Sequence, residues 1–303
     1  MKAKMIKKHK RLFIVLYILG IVFLTYAMPK LYHRYSSYKY RKEFRTNFPK
    51  KVDFCDDIPN RDSTFVFIMA GQSNMAGRGK VEPIDTIPNE RLLTINKQGK
   101  LIIAKEPLHF YEPTMTGLDC GVSFGNSILN KIQSNYYVII LPTAVGGSSI
   151  QQWINDNTFR GVKLLSNFKE KVEIGKKYGR IKGILWHQGE NDATKEENID
   201  LYQKRLSILF GKFRQITENY TLPIMIGELG SFYRENDKWQ RINSAIHNYT
   251  EKDDFSDYIT TQDLKHRGDG IHFDANGQRV MGKRFAEKYF ELTMQAYNNV
   301  YKK

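Results

Sequence analysis

The chain has 303 residues, enough to bury a full core in one or two domains, and carries a formal charge of +15. Residues 1–51 hold fourteen Lys and Arg against one acid, a local charge of +13, which leaves the remaining 252 residues at only +2. A nearly neutral body argues against nucleic acid as a partner, because a nucleic-acid-binding domain carries a basic face of its own. The composition includes only two cysteines, Cys55 and Cys120, free to pair in an oxidising compartment and ordinary thiols in a reducing one. No Cys-x-x-Cys or His-Glu-x-x-His spacing occurs, so no metal site is expected.

At the N-terminus the basic run Lys7-Lys8-His9-Lys10-Arg11 precedes seventeen uncharged, mostly apolar residues, Leu12 to Met28. That length exceeds a usual signal-peptide core and sits at the short end for a spanning helix. The reading is a basic tail (1–11), a transmembrane signal anchor (12–28) and an irregular juxtamembrane stalk (29–62), followed by a folded domain (63–303). A cleaved signal peptide, with Thr25-Tyr26-Ala27 as the cleavage site, and a buried core helix are the alternatives. Six basic residues flank the span on each side, so charge does not orient it. The expectation of an extracytoplasmic domain rests on function, since an enzyme acting on a polymer would work there.

Beyond the stalk, Thr64-Phe65-Val66-Phe67-Ile68-Met69 is rich in aromatic and β-branched residues and predicts a buried strand, ending at Gly71-Gln72-Ser73-Asn74. A small hairpin is expected from 92–95 and 101–103 around Asn96-Lys97-Gln98-Gly99, then a helix over 123–132. A second strand over 136–141 runs into Ala144-Val145-Gly146-Gly147-Ser148-Ser149. A basic amphipathic helix (162–177) leads to a third strand (181–186) that ends in His187-Gln188-Gly189-Glu190-Asn191-Asp192. A long helix (196–217), a fourth strand (222–226), a helix (237–249) and a fifth strand (258–261) come next. The last helix starts after Asp274, a natural N-cap, and runs to about residue 297. Strand and helix alternate throughout, which predicts a parallel, three-layer α/β/α domain.

In such sheets ligands bind outside the carboxyl ends of the strands, where a serine just past the first strand is well placed. A serine nucleophile needs a base, a carboxylate to orient that base, and donors for the oxyanion. Asp269-Gly270-Ile271-His272 supplies an acid three residues before a histidine on a loop, and Asp263-Leu264-Lys265-His266 has the same spacing. Glycine and the helix start favour Asp269 and His272. The backbone N–H groups of Ser73, Gly146 and Gly147 and the side-chain amide of Gln188 are the candidate oxyanion donors. Trp153 and Trp186 are read as core residues, with stacking on a sugar ring as the alternative, and Tyr233 and Trp239 stay uncommitted. Position 75 is Met rather than Gly, against Gly-x-Ser-x-Gly of α/β-hydrolases, and Val81 after Gly-Arg-Gly-Lys rules out a P-loop.

The blocks Gly71-Gln72-Ser73-Asn74-Met75-Ala76-Gly77-Arg78-Gly79, Gly146-Gly147-Ser148-Ser149, Trp186-His187-Gln188-Gly189-Glu190 and Asp269-Gly270-Ile271-His272-Phe273 resemble, in order, the motifs of a known family. It is the sialate O-acetylesterase-like family, with the acetylxylan esterases of carbohydrate esterase family six, in the SGNH hydrolase superfamily; the resemblance covers roughly residues 63–292. It implies a flavodoxin-like fold and removal of acetyl groups from sugar hydroxyls without a cofactor. It implies Ser73 as nucleophile, His272 as base and Asp269 as orienting acid, with Glu190 as a possible auxiliary acid. Gln188 stands where the broader superfamily has asparagine, which makes Asn191 the lesser donor candidate. The expected partners are an O-acetylated carbohydrate (sialic acid, xylan or another surface or dietary glycan) and a membrane. A polysaccharide O-acetyltransferase using the same triad and a non-catalytic glycan-binding protein are the rival functions.

Overall fold

The computed structural model describes residues 2–301, in two compact units divided between Thr46 and Asn47. In the first, α1 (Lys2–Val22) runs through one wider π-type stretch, Phe23–Ala27, into α2 (Met28–Phe44). Thr25 Oγ1 bonds back to the Ile21 carbonyl at 2.7 Å inside this stretch, the kind of side-chain intrusion that perturbs a helical ladder. The segment Phe13–Phe44 is long and apolar enough to cross a membrane, its most apolar window having a mean hydropathy of 1.9 and no buried residue. The expected irregular stalk is therefore helical over its first part. Pro29 lies in this continuous helical run, where its missing N–H removes a bond from the ladder next to the π-type stretch, and no glycine interrupts the remainder of α2.

The second unit begins at Asn47, earlier than the boundary expected at residue 63. Its first residues lie beside a sheet edge: Cys55 N–H donates to the Leu101 carbonyl and Ile103 N–H to that of Asp53. The strands are β1 (Thr64–Gly71), β2 (Leu92–Ile95), β3 (Leu101–Ile103), β4 (Tyr137–Pro142), β5 (Thr158–Phe159), β6 (Val162–Lys163), β7 (Arg180–His187), β8 (Ile224–Gly227) and β9 (Ser256–Ile259). The helices are α3 (Gly121–Leu129), α4 (Ile150–Ile154), α5 (Leu164–Tyr178), α6 (Glu196–Asp200), α7 (Tyr202–Thr217), α8 (Asn236–Thr250) and α9 (Ala275–Tyr301). The main sheet has the order β3-β2-β4-β1-β7-β8-β9, parallel except for β2 with β3. The run β4-β1-β7-β8-β9 is flavodoxin-like, extended at one edge by the β2–β3 hairpin.

Alternation along each strand feeds two cores. Val66, Ile68, Ile139, Leu141, Ile184 and Trp186 point to one face, covered by α4 to α8; Phe67, Met69, Val138, Ile140, Leu185 and Met225 point to the other, under α3 and α9. Both faces are buried, which is why the strands read as continuous apolar runs. Trp153 and Trp186 are fully enclosed among Phe210 and Phe213, as the core reading expected.

Three local features differ from the sequence reading. The helix expected over 196–217 is two helices separated at Leu201, and Glu196 and Asp200 of the first pair with Arg241 of α8. The two-residue strands β5 and β6 precede α5. The short helix α4 escaped notice although Ser149 and Gln152 spell out its capping box, each side chain bonding the other's backbone N–H. Asp274 does cap α9, accepting the Gly277 N–H at 2.7 Å.

Gly282 of α9 is crossed closely by the start of α3: a Cβ there would lie 2.4 Å from the Cys120 carbonyl oxygen and 2.7 Å from the Phe124 nitrogen. An open helical site gains roughly 1 kcal/mol from Gly→Ala. Gly282→Ala is expected to reverse that sign and lose about 1–3 kcal/mol, the usual cost of overpacking, read as a lower urea-unfolding midpoint.

Candidate active site

The loops after β1, β4, β7 and β9 emerge at the same end of the parallel sheet. The chain runs from β1 outward to β4 and then back across to β7, so the β1–β7 boundary is the topological switch point, where such sheets bind ligands. At that boundary Gly71 adopts a φ of +137°, and a Cβ on it would fall 2.1 Å from the His187 carbonyl oxygen. Only glycine lets β1 end there. The next N–H, from Gln72, donates to that same carbonyl at 3.0 Å, and Ala76 N–H closes the turn on the Gln72 carbonyl at 2.8 Å. Ser73 is held inside this turn.

Ser73 Oγ lies 3.0 Å from Nε2 of His272, whose Nδ1 lies 2.8 Å from Oδ2 of Asp269. Asp269 also accepts the N–H groups of Ile271 and His272 on Oδ1 and the Arg267 Nε–H on Oδ2. The three-residue spacing works because the carboxylate folds back on its own loop. Burial pushes the Asp269 carboxyl up, but the bonds from His272, Arg267 and Ile271 outweigh it and hold the group well below the usual carboxylate range. The rival pair does not come together: Asp263 is taken by Arg284, and His266 Nδ1 accepts the N–H groups of Gly268 and Gly270, bracing the loop.

Of the oxyanion candidates, two are committed elsewhere. Gly146 N–H donates to Glu112 Oε2 at 2.6 Å. The Gln188 amide donates to Asp192, Gln72 and the Ser148 carbonyl at 2.6, 3.1 and 3.2 Å, so it fastens the loops after β1, β4 and β7 together. The N–H groups of Ser73 and Gly147 meet no acceptor among the described residues. Asn191, the lesser candidate, donates its amide to the Gly147 carbonyl.

Glu190 does not touch His272. Its Oε1 accepts from Asn74 Nδ2 at 2.6 Å, and its buried Oε2 has no partner. Asn74 is the residue that sequence reasoning missed. Its Nδ2 also donates to the Ile271 carbonyl at 3.2 Å, and its Oδ1 accepts the Phe273 N–H at 3.1 Å, so it grips the chain on both sides of His272. A buried amide directly after the serine was the available signal. His187 is fully buried; burial holds its pKa below the usual value, and its Nε2–H donates to the Glu228 carbonyl at 2.9 Å. Both cysteines are free, Cys120 buried beside Met75 and Cys55 on the flank by Asp57. No cluster of His, Cys, Asp and Glu able to hold a metal occurs among the described residues. A hydroxyl, an imidazole and an ionised carboxylate in line, with the free N–H of Ser73 on the nucleophile itself, are the parts of an acyl-transfer site.

Solved structures share the fold of this domain. NanS superposes with a TM-score of 0.63 at 16% identity, covering 78% of this chain and 100% of that one. A carbohydrate acetylesterase from Xanthomonas citri superposes at 0.56 and 17%, covering 76% and 56%. A protein of Arabidopsis thaliana described as a probable carbohydrate esterase is 27% identical over 244 residues, 74% of this chain and 89% of that one, and its crystal structure superposes at 0.66. The chain belongs to the family of carbohydrate esterases described as sialic acid-specific acetylesterases, whose profile matches residues 63–291. It is a carboxylic ester hydrolase.

Because its folded-state pKa is depressed, Asp269 contributes stability that is fully present above the ordinary carboxylate value of about 4 and fades as pH falls below it. The melting-temperature gap between wild type and Asp269→Asn is therefore expected to narrow as pH falls from about 4.

Proposed function

We propose that the protein is a serine esterase that removes O-acetyl groups from carbohydrate through an acetyl-serine intermediate. The observation that carries this reading is the unbroken line from Ser73 Oγ through His272 to Asp269, at 3.0 and 2.8 Å. Ser73 Oγ attacks the acetyl carbonyl while its proton passes to His272 Nε2. Asp269 fixes the ring so that Nδ1 keeps its proton, and its negative charge stabilises the imidazolium. The tetrahedral oxyanion is received by the N–H groups of Ser73 and Gly147, which no protein acceptor occupies. His272 returns its proton to the departing sugar oxygen, leaving acetyl-Ser73. Water then attacks, giving its proton to His272, which passes it to the departing Ser73 Oγ, and acetate and free Ser73 result.

The family and the carbohydrate esterases among its relatives support an acetylated sugar as substrate, with O-acetylated sialic acid the first to test. The side chains of His272 and Asp269 are 16% and 31% exposed, so the site opens to solvent and admits an acetyl group carried on a larger glycan. The apolar N-terminal helix is read as a membrane anchor that holds the catalytic unit on the extracytoplasmic side, where surface glycans lie.

Acetate release from 4-nitrophenyl acetate, acetylated sialic acid and acetylated xylan tests the reading. Wild type should turn over at least one of them, and Ser73→Ala and His272→Ala should each lose about a thousandfold or more in kcat. His266→Ala should stay within about tenfold of wild type, since its ring braces the loop without reaching Ser73. Sugar acetylation in place of acetate release would mark a transferase. Glycan binding that Ser73→Ala leaves untouched, with no turnover by wild type, would mark a binding protein.

A further inference from the structure

Beside the serine loop lies a polar cluster that the acyl-transfer steps leave unused. Arg78 and Glu112 form an ion pair at 2.9 Å with side chains only 1% and 6% exposed. Arg78 donates its other terminal nitrogen to the Gly77 carbonyl at 2.8 Å and leaves its Nε–H buried without an acceptor. A buried ion pair is a poor stability device, because both desolvation costs and an orphaned donor count against it. Its geometry has a different use. Glu112 Oε2, the oxygen that Arg78 grips, also accepts the Gly146 N–H at 2.6 Å, while Arg160 binds Oε1. Burial pushes the Glu112 carboxyl up, but Arg78, the Gly146 N–H and Arg160 together leave it below the usual carboxylate value, so it stays an ionised, strong acceptor.

The Gly146–Gly147 backbone is thus fixed at three points. Glu112 takes the N–H of Gly146, Asn191 bonds the carbonyl of Gly147, and Gln188 bonds the carbonyl of Ser148. The Gly147 N–H meets no acceptor among the described residues. The absence of a side chain at Gly146 is what lets the clamp approach: a Cβ there would meet Arg78 Nη2 at 2.1 Å and Glu112 Oε2 at 2.6 Å. The clamp also reaches the acid loop, since the Arg78 carbonyl accepts from Arg267, which donates in turn to Asp269.

We propose that Glu112, gripped by Arg78, is a positioning residue that holds the Gly146 N–H so that the Gly147 N–H is aimed at the developing oxyanion. The inference rests on the esterase reading above. It predicts an effect confined to the transition state. Loss of one oxyanion donor lowers kcat by about 100- to 1,000-fold, and KM should move by no more than about threefold because the substrate's neutral carbonyl gains little from that donor.

The experiment uses the full chain in detergent, with 4-nitrophenyl acetate as substrate and a melting curve for every variant. Glu112→Ala is expected to show the kcat loss at near-constant KM. Glu112→Gln, whose amide oxygen still accepts from Gly146, should remain within about tenfold of wild type. Gly146→Ala should match Glu112→Ala, since its methyl wedges the clamp open with both charged partners present; it decides the matter if Glu112→Ala does not fold. The inference is overturned if Glu112→Ala and Gly146→Ala keep kcat within about threefold, if KM rises in step with the loss, or if Glu112→Gln falls as far as Glu112→Ala. A wild type inert on every ester tested would overturn the esterase reading itself, and this inference with it.

Discussion

The side chain of Asn74 joins the first loop of the domain to the last. Its amide spans to Ile271 and Phe273, about two hundred positions further along the chain, and its backbone carbonyl accepts from Gln278 in α9. Each such bond is worth only about 1 kcal/mol net, but a buried partner left unsatisfied costs roughly 1–3 kcal/mol. The arrangement is therefore close to all-or-none, and it fixes the separation of Ser73 and His272 more tightly than apolar packing could. Glu190 acts on the same point by accepting the other Asn74 N–H, so its influence on His272 passes through Asn74.

The sheet supplies what that amide needs. Five adjacent parallel strands, the inner ones apolar on both faces, deliver their carboxyl ends to one edge, and glycine at the end of β1 lets the serine turn cross directly against β7. Stability and geometry come from different residues. The buried aliphatic and aromatic side chains above and below the sheet provide most of the favourable free energy. The polar groups at the edge contribute little net energy and determine direction: Gln188 binds three loops to each other, Asp269 closes its own loop, and Glu112 holds a single peptide group.

Much of this was legible in the sequence because it is local or periodic. Apolar runs of strand length between amphipathic segments predict the parallel sheet, and an acid three residues before a histidine is a contact within one loop. The boundaries of the catalytic unit were less visible, because residues 47–62 join it through two backbone hydrogen bonds at a sheet edge and scattered polar side-chain contacts, which leave no periodic pattern. The oxyanion candidates were legible as a set and not as individuals. Gly146 and Gly147 are neighbours of identical chemistry, and what separates them is a carboxylate some thirty positions upstream. Gln188 has the right functional group, but its partners Asp192, Gln72 and Ser148 come from three segments, so its engagement shows only in three dimensions. Asn74 was passed over for the same reason.

The contact between Ser73 and His272 spans 199 positions, and this distance has a consequence for how the protein comes into being. Synthesis makes the serine early and the histidine late, and the loop bearing the histidine is held by Asn74, whose own carbonyl is tied to Gln278 in α9. Contacts this distant in sequence form after local ones, since the intervening chain must first be ordered. No chain that ends before His272 holds the pair. A chain emerging N-terminus first therefore brings the two side chains together only after the segment beyond its last strand has been made.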